Sequence, residues 1–262
     1  MTYTEDDVAG TIDRLLADAG HRGPLTPAQL AGVDQFHVGG AEAVDRLLPA
    51  LALSPTSHVL DVGSGFGGPA RLVAARTGAH VHGIDVTRPY VDAATQLTAR
   101  CGLEDLVTFE HTDVARHTPA RPYDAVLTIH VEMNVADKAA WYRAIADRLT
   151  TGGRLAIWDV CRAGDGPVPW PMPWSIDGSD SHLVTAAELK DTIEAAGLVT
   201  TEWVDETPWV NDWFTSAFAA AGSGSPALPM ILHDGFTRIL NFAGALADGT
   251  LMVVRGAFVT VG

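Results

Sequence analysis

Residues 59–70 read VLDVGSGFGGPA: a short apolar run, glycines at 63, 65 and 67, then the start of a helical pattern. Glycine lets a chain turn sharply and bring its backbone close to a ligand, and the N–H groups at a helix start point outward. Gly63, Gly65 and Gly68 also satisfy the dinucleotide spacing GxGxxG, so the turn alone does not choose its ligand. Three carboxylates follow a pattern around it. Asp61 stands two residues before the first glycine, Asp85 closes GID, and Asp113 closes EHTD. A second set of groups has proton chemistry: His37, Glu132 and His182 are candidate general bases, with His130 beside Glu132. A metal centre is not expected. His80 and His82 alternate on one strand and share a face, but no HExxH accompanies them, and both are read as structural.

These groups need elements to hold them. HVLDVG at 58–63 is the first of several short apolar runs, followed by runs at 80–86, 107–113, 123–130 and 154–160. Helical segments at 69–77, 88–101 and 136–150 separate them. Such alternation predicts crossover units and a doubly wound, mostly parallel α/β sheet. Strands near 198–205 and 250–260 bring the count to seven, and the last, following a long insertion, is expected to return antiparallel. Ahead of the sheet lie helices at 4–20, with Val8, Ile12, Leu15 and Leu16 on one side, after Thr26-Pro27, and at 41–51. The proline- and tryptophan-rich segment 162–184 is read as a structured loop, followed by a helix at 186–196 with Thr185 and Glu188 as a capping box. Helical stretches near 208–221 and 227–247 complete the tail. One domain is expected: a helical cap over 1–52, a ligand-binding core over 53–161, and lid insertions with a sheet edge over 162–262.

The 262 residues are 47% hydrophobic, which excludes disordered and disulfide-stapled classes. A formal charge of −15 disfavours nucleic acid and anionic membrane surfaces as partners. Cys101 and Cys161 form no CxxC pair, and no signal-like or 18-residue apolar run stands out, so a cytoplasmic location is expected. The partner expected is a small molecule, and lid aromatics would allow a homodimer.

Acids at the carboxyl ends of the first three strands fall in the crevice where open α/β sheets bind ligands. Asp61 is badly placed for a pyrophosphate but suits the cationic amino-acid portion of S-adenosylmethionine, while Asp85 suits ribose hydroxyls and Asp113 an adenine amino group. DVGSGFGG, the acid of GIDV and HTD at 111–113 resemble the successive motifs of class I S-adenosylmethionine-dependent methyltransferases. DQFHVGG at 34–40, HVEMN at 130–134 and PVPWPMPW at 167–174 resemble small-molecule enzymes of the sarcosine/dimethylglycine N-methyltransferase type.

The resemblance implies a cofactor side made of Gln35, Asp61, Gly63, Ser64, Gly65, Gly67, Asp85, Val86, Asp113, Val114 and His130. It implies a Rossmann-like fold, S-adenosylmethionine as cofactor, S-adenosylhomocysteine as product, and an amine nitrogen as the first-choice acceptor. Oxygen or carbon of a secondary metabolite, or a cyclisation without methyl transfer, remain alternatives, and a nicotinamide oxidoreductase is a rival that Asp61 disfavours. On the acceptor side stand Asn134, Trp170, Trp174 and Trp209 with the three bases. Glu132 and Asn134 equally suit capping the next helix, and such tryptophans more often simply pack a lid.

Overall fold

The computed structural model describes residues 8–220 and 233–261. Its sheet has seven strands in the order β3-β2-β1-β4-β5-β7-β6. They are β1 (His58–Val62), β2 (His80–Asp85), β3 (Val107–His111), β4 (Tyr123–Ile129), β5 (Leu149–Arg162), β6 (Leu198–Asp205) and β7 (Leu251–Thr260). The first five run parallel, and β7 lies antiparallel between β5 and β6. Chain order reverses between β1 and β4, which opens a crevice at their carboxyl ends.

The apolar runs have few polar interruptions because the central strands are covered on both faces. On β1, Val59 packs into one core and Leu60 into the other; on β4, Leu127 and Val126 divide the same way. Helices α3 (Gly40–Leu51) and α4 (Gly68–Thr77) supply Leu47, Leu51, Leu72 and Val73 to the first core. Helices α6 (Lys138–Ala146) and α7 (Ala186–Ala195) supply Trp141, Ile145, Leu189 and Ile193 to the second. A third cluster joins α1 (Val8–Asp18), α2 (Pro27–Asp34) and α5 (Arg88–Arg100) through Ile12, Leu16, Leu30, Val33 and Leu97 around Phe66 of the glycine turn. The tail carries α8 (Thr207–Ala220) and α9 (Gly235–Ala247).

The expected seven-stranded sheet with an antiparallel last strand is what the chain forms. Boundaries differ in places. The helix expected at 136–150 ends at Ala146, and β5 starts at Leu149, five residues before the expected run at 154–160. Tyr123 pairs with Leu149 and Ala125 next with Arg154, so an irregularity in the ladder absorbs Gly152 and Gly153. The Thr185 capping box forms: Glu188 N–H donates to Thr185 Oγ1 at 3.2 Å, and Thr185 N–H to Glu188 Oε2 at 2.8 Å. Residues 4–7 and 227–232 of the expected helices, and position 221, lie outside the described residues.

One buried ion pair ties the preface to the core. Arg71 of α4 donates to Asp34 of α2 at 2.9 Å, and also to Ala94 O at 3.1 Å, to Thr98 Oγ1 at 2.9 Å and to Phe66 O. Both side chains are sealed from solvent, and burial pushes the Asp34 carboxyl above its ordinary pKa against the pull of Arg71. Removing one partner leaves a bare charge inside, which costs about 3–5 kcal/mol. Arg71→Leu and Asp34→Asn are each expected to lower unfolding stability by that amount in urea titrations; losses below about 1 kcal/mol in both would contradict this coupling.

Candidate cofactor and acceptor site

The turn after β1 is set by backbone bonds before any side chain acts. Gly63 and Ser64 N–H both donate to Ile84 O, at 2.8 and 3.0 Å, which folds the turn over the end of β2. Gly63 has φ +76, and a Cβ there would lie 2.4 Å from Val131 Cγ2, so glycine is required by both backbone and space. Gly65 N–H donates to Asp85 Oδ2 at 2.9 Å, and the other Asp85 oxygen accepts Thr87 N–H at 2.8 Å. The glycine turn and the acid ending β2 are therefore one assembly.

Beside this turn lies a cavity of about 550 Å³ at the switch point. Of the residues predicted for the cofactor, Asp61, Gly63, Ser64, Gly65, Asp85, Val86, Asp113, Val114 and His130 all line it. Gln35 and Gly67 do not. Gln35 is buried against Gly68 and gives its amide to Asp34 Oδ1 at 3.0 Å, and Gly67 packs on Phe109. Asp113 stands two residues past β3, with Oδ1 accepting Ala115 N–H at 2.7 Å.

The cavity's charge is lopsided. Asp34, Asp61, Asp85, Asp113 and Asp180 line it, with no Lys or Arg among the described lining residues. Asp34 has Arg71; Asp61 has much less. Asp61 is 2% exposed, and its Oδ2 has no hydrogen-bond partner. Burial, and then the neighbouring Asp85 charge, push its pKa to about 7, against a partial pull from the Ala70 N–H and from Arg71. Ser64 Oγ and His130 Nε2 are likewise buried without partners.

On the other wall, His130 follows β4 with φ +54 and donates its N–H to Trp158 O at 2.9 Å. Its ring meets those of His37 and Phe242 edge-on, with centroids 6.1 and 6.0 Å away. His37 lines the cavity, and its Nε2 lies 3.0 Å from Gly40 O, which requires the proton on that nitrogen. Burial pushes its pKa down to about 4, so the ring is neutral and offers Nδ1 as an acceptor.

His182 and Asn134 line the cavity as expected; Glu132 does not. Its carboxylate is fully buried, 3.3 Å from Lys138 Nζ, and burial pushes its pKa to about 7. Glu132–Asn134 form a single 3-10 turn, in which successive side chains point about a third of a revolution apart, so Glu132 turns inward while Asn134 reaches the cavity.

The tryptophans are also corrected: Trp170, Trp174 and Trp209 are absent from the lining and brace the segments that reach it. Trp170 fills the space a Cβ on Gly178 would need, 2.5 Å from its ring, and Trp174 Nε1 donates to Ser181 Oγ at 3.0 Å. Both thereby hold the stretch bearing Asp180 and His182. Trp209 lies against Gly39, under Arg46 at 4.3 Å, and edge-on to Trp158. Lining residues that sequence reasoning missed include Asp34, Phe36, Thr87, Tyr90, Trp141 and Asp180.

Residues 60–155, from the glycine turn through β4 into β5, match the family model of a methyltransferase domain. Over those residues the chain is similar to methyltransferase domains. It is similar to methyltransferase GfsG of Streptomyces halstedii, 35% identical over 51% of this chain and 49% of that one. It is also similar to phosphoethanolamine N-methyltransferase 1 of Zea mays, 30% identical over 55% of this chain and 29% of that one. The match thus spans half or less of these relatives. A geranyl diphosphate methyltransferase solved with S-adenosylmethionine shares the fold at a TM-score of 0.68, with 19% identity over 84% of this chain and 85% of that one.

Asp61 gives the domain a pH signature when no ligand is bound. Its folded pKa lies above its unfolded value, so between about pH 4 and 7 the folded state binds the extra proton and stability falls as pH rises. Asp61→Asn should remove this slope, its stability advantage over wild type growing by on the order of 3 kcal/mol across the window. Thermal melts of the ligand-free pair at both ends test it; a constant gap would contradict it.

Proposed function

We propose that the protein transfers a methyl group from S-adenosylmethionine to the nitrogen of a small, non-phosphorylated amine. The observation that carries this reading is the carboxylate-rich cavity with no Lys or Arg among its described lining residues, which suits a cationic cofactor and a cationic acceptor better than a phosphate. Similarity to N-methyltransferases of phosphoethanolamine supports the choice of nitrogen, although that substrate's phosphate would meet no Lys or Arg among the described lining residues. When bound, S-adenosylmethionine supplies a methyl group on a sulfonium, which an acceptor takes in line as S-adenosylhomocysteine leaves.

In this reading Asp61 faces the cationic amino-acid portion, which its orphaned Oδ2 would satisfy, Asp85 holds the ribose hydroxyls, and Asp113 the adenine amino group. Ser64 and the glycine turn give backbone and hydroxyl contacts, and Val86 and Val114 sandwich the base. His130 packs by the methionyl part. Residues up to 52 act as a cap, 53–161 as the cofactor core, and 162–262 as the lid and sheet edge.

Alignment of acceptor and methyl group supplies about 7–11 kcal/mol of such a reaction, so positioning matters most. His37, with a pKa of about 4, is too weak a base to take a proton from an ammonium and serves as an acceptor that orients it. His182, exposed at the cavity edge beside Asp180, takes the proton in this reading. Glu132 lies outside this role because it is sealed against Lys138.

Purified protein, methyl-labelled S-adenosylmethionine and a panel of small amines with a cell extract test the reading. Label is expected in a small amine, with none in phosphorylated acceptors. Label in an oxygen- or carbon-linked product would overturn the amine assignment, and bound cofactor that never loses label would favour cyclisation or rearrangement. Once the amine is known, His182→Ala should lower kcat by about 10²–10⁴-fold at neutral pH, with recovery at high pH where the amine arrives unprotonated. A pH-independent loss would contradict the proton role.

A further inference from the structure

The connection from β3 to β4, residues 112–122, contains no helix, so irregular chain covers the outer part of the sheet on the β2–β3 side. In register, His82 pairs with Thr108 and Ile84 with Glu110, which puts His82 and Glu110 on the same face; His117 folds back onto them from the connection. His117 Nδ1 lies 3.0 Å from Glu110 Oε2, and His82 Nε2 lies 3.4 Å from the same oxygen. All three ligand atoms fall within 4.8 Å of one another.

We propose that His82, Glu110 and His117 form a binding site for one divalent transition metal of the zinc type, separate from the cofactor cavity. Tetrahedral zinc at 2.0–2.1 Å from its ligands gives ligand-to-ligand edges of about 3.3 Å, close to the two measured here. Each imidazole is also fixed from behind: His82 Nδ1 meets Thr108 Oγ1 at 2.9 Å and His117 Nε2 meets Tyr123 OH at 2.8 Å. Those bonds leave the opposite nitrogens free to face the shared carboxylate, the usual outer arrangement of a metal-bound histidine. Two imidazoles and one carboxylate favour zinc, copper or nickel over magnesium or calcium, and the half-exposed Glu110 leaves room for a water as fourth ligand.

Arg116 and His117 N–H both donate to Asp113 O at 2.9 Å. An ion held by His117 would therefore brace the stretch that carries Thr112, Asp113 and Val114 to the cavity rim. The role is structural, and no step of the chemistry passes through the metal.

The test is calorimetric titration of chelator-stripped, tag-free protein with Zn²⁺, together with visible spectra of the Co²⁺ form. One ion per chain is expected, with the intense bands of four-coordinate cobalt. Tyr123→Phe should weaken affinity about 10–100-fold and His82→Asn by more. His80→Asn, two residues along the same strand face but stacked on His58 and outside the three-ligand cluster, should leave affinity unchanged. His117 is buried and its loss can unfold the chain, so the decision rests on His82→Asn, whose side chain is 26% exposed, and on the wild-type cobalt spectrum. No zinc binding, six-coordinate cobalt, binding that survives His82→Asn, or binding lost in His80→Asn would each overturn the proposal.

Discussion

A carboxylate buried without an adequate cation sets the terms for this molecule. Asp61 sits at the end of the first strand, next to a second carboxylate and short of one hydrogen-bond partner, and the protein compensates only in part. An isolated charge in such a place is costly unless something supplies the opposite sign. Groups around the cavity fit that arrangement: Gly63 makes room for Val131, Gly65 engages Asp85, and the strand order reverses between β1 and β4. A cationic cofactor relieves the imbalance.

The supports of the site are themselves buried polar or aromatic groups. Arg71 joins the last residue of α2, the carbonyl of Phe66 in the glycine turn, and α5, so one guanidinium registers the cap against the core. Trp170 and Trp174 do the same for the stretch with Asp180 and His182, and Trp209 for Gly39 after His37. These tryptophans fill space behind the cavity wall.

How far the chain was legible from sequence follows from what periodicity encodes. Strands buried on both faces appear as apolar runs, and glycines with acids at their ends mark the crevice, so the sheet and Asp61, Gly63, Gly65, Asp85 and Asp113 were readable from pattern, while Ser64, Val86, Val114 and His130 came from the family resemblance. Periodicity carries no information about which side of an irregular loop meets a cavity. Asp180 was invisible for that reason, and the tryptophans of the same segment were misplaced. Glu132 shows a finer failure: one 3-10 turn separates it from Asn134 by enough rotation to send one side chain into the core and the other to the cavity. The start of β5 was missed because Gly152 and Gly153 look like a turn, whereas the ladder passes them with an irregularity.

The most direct test of this account is calorimetric titration of S-adenosylmethionine at about pH 7 in two buffers of different ionisation enthalpy. If a cation near Asp61 lowers its pKa from about 7, binding releases a fraction of a proton, affinity weakens as pH falls below that value, and NAD does not compete. Binding with no proton release at any pH, or tighter binding of NAD than of S-adenosylmethionine, would contradict the claim that the buried carboxylate selects a cationic cofactor.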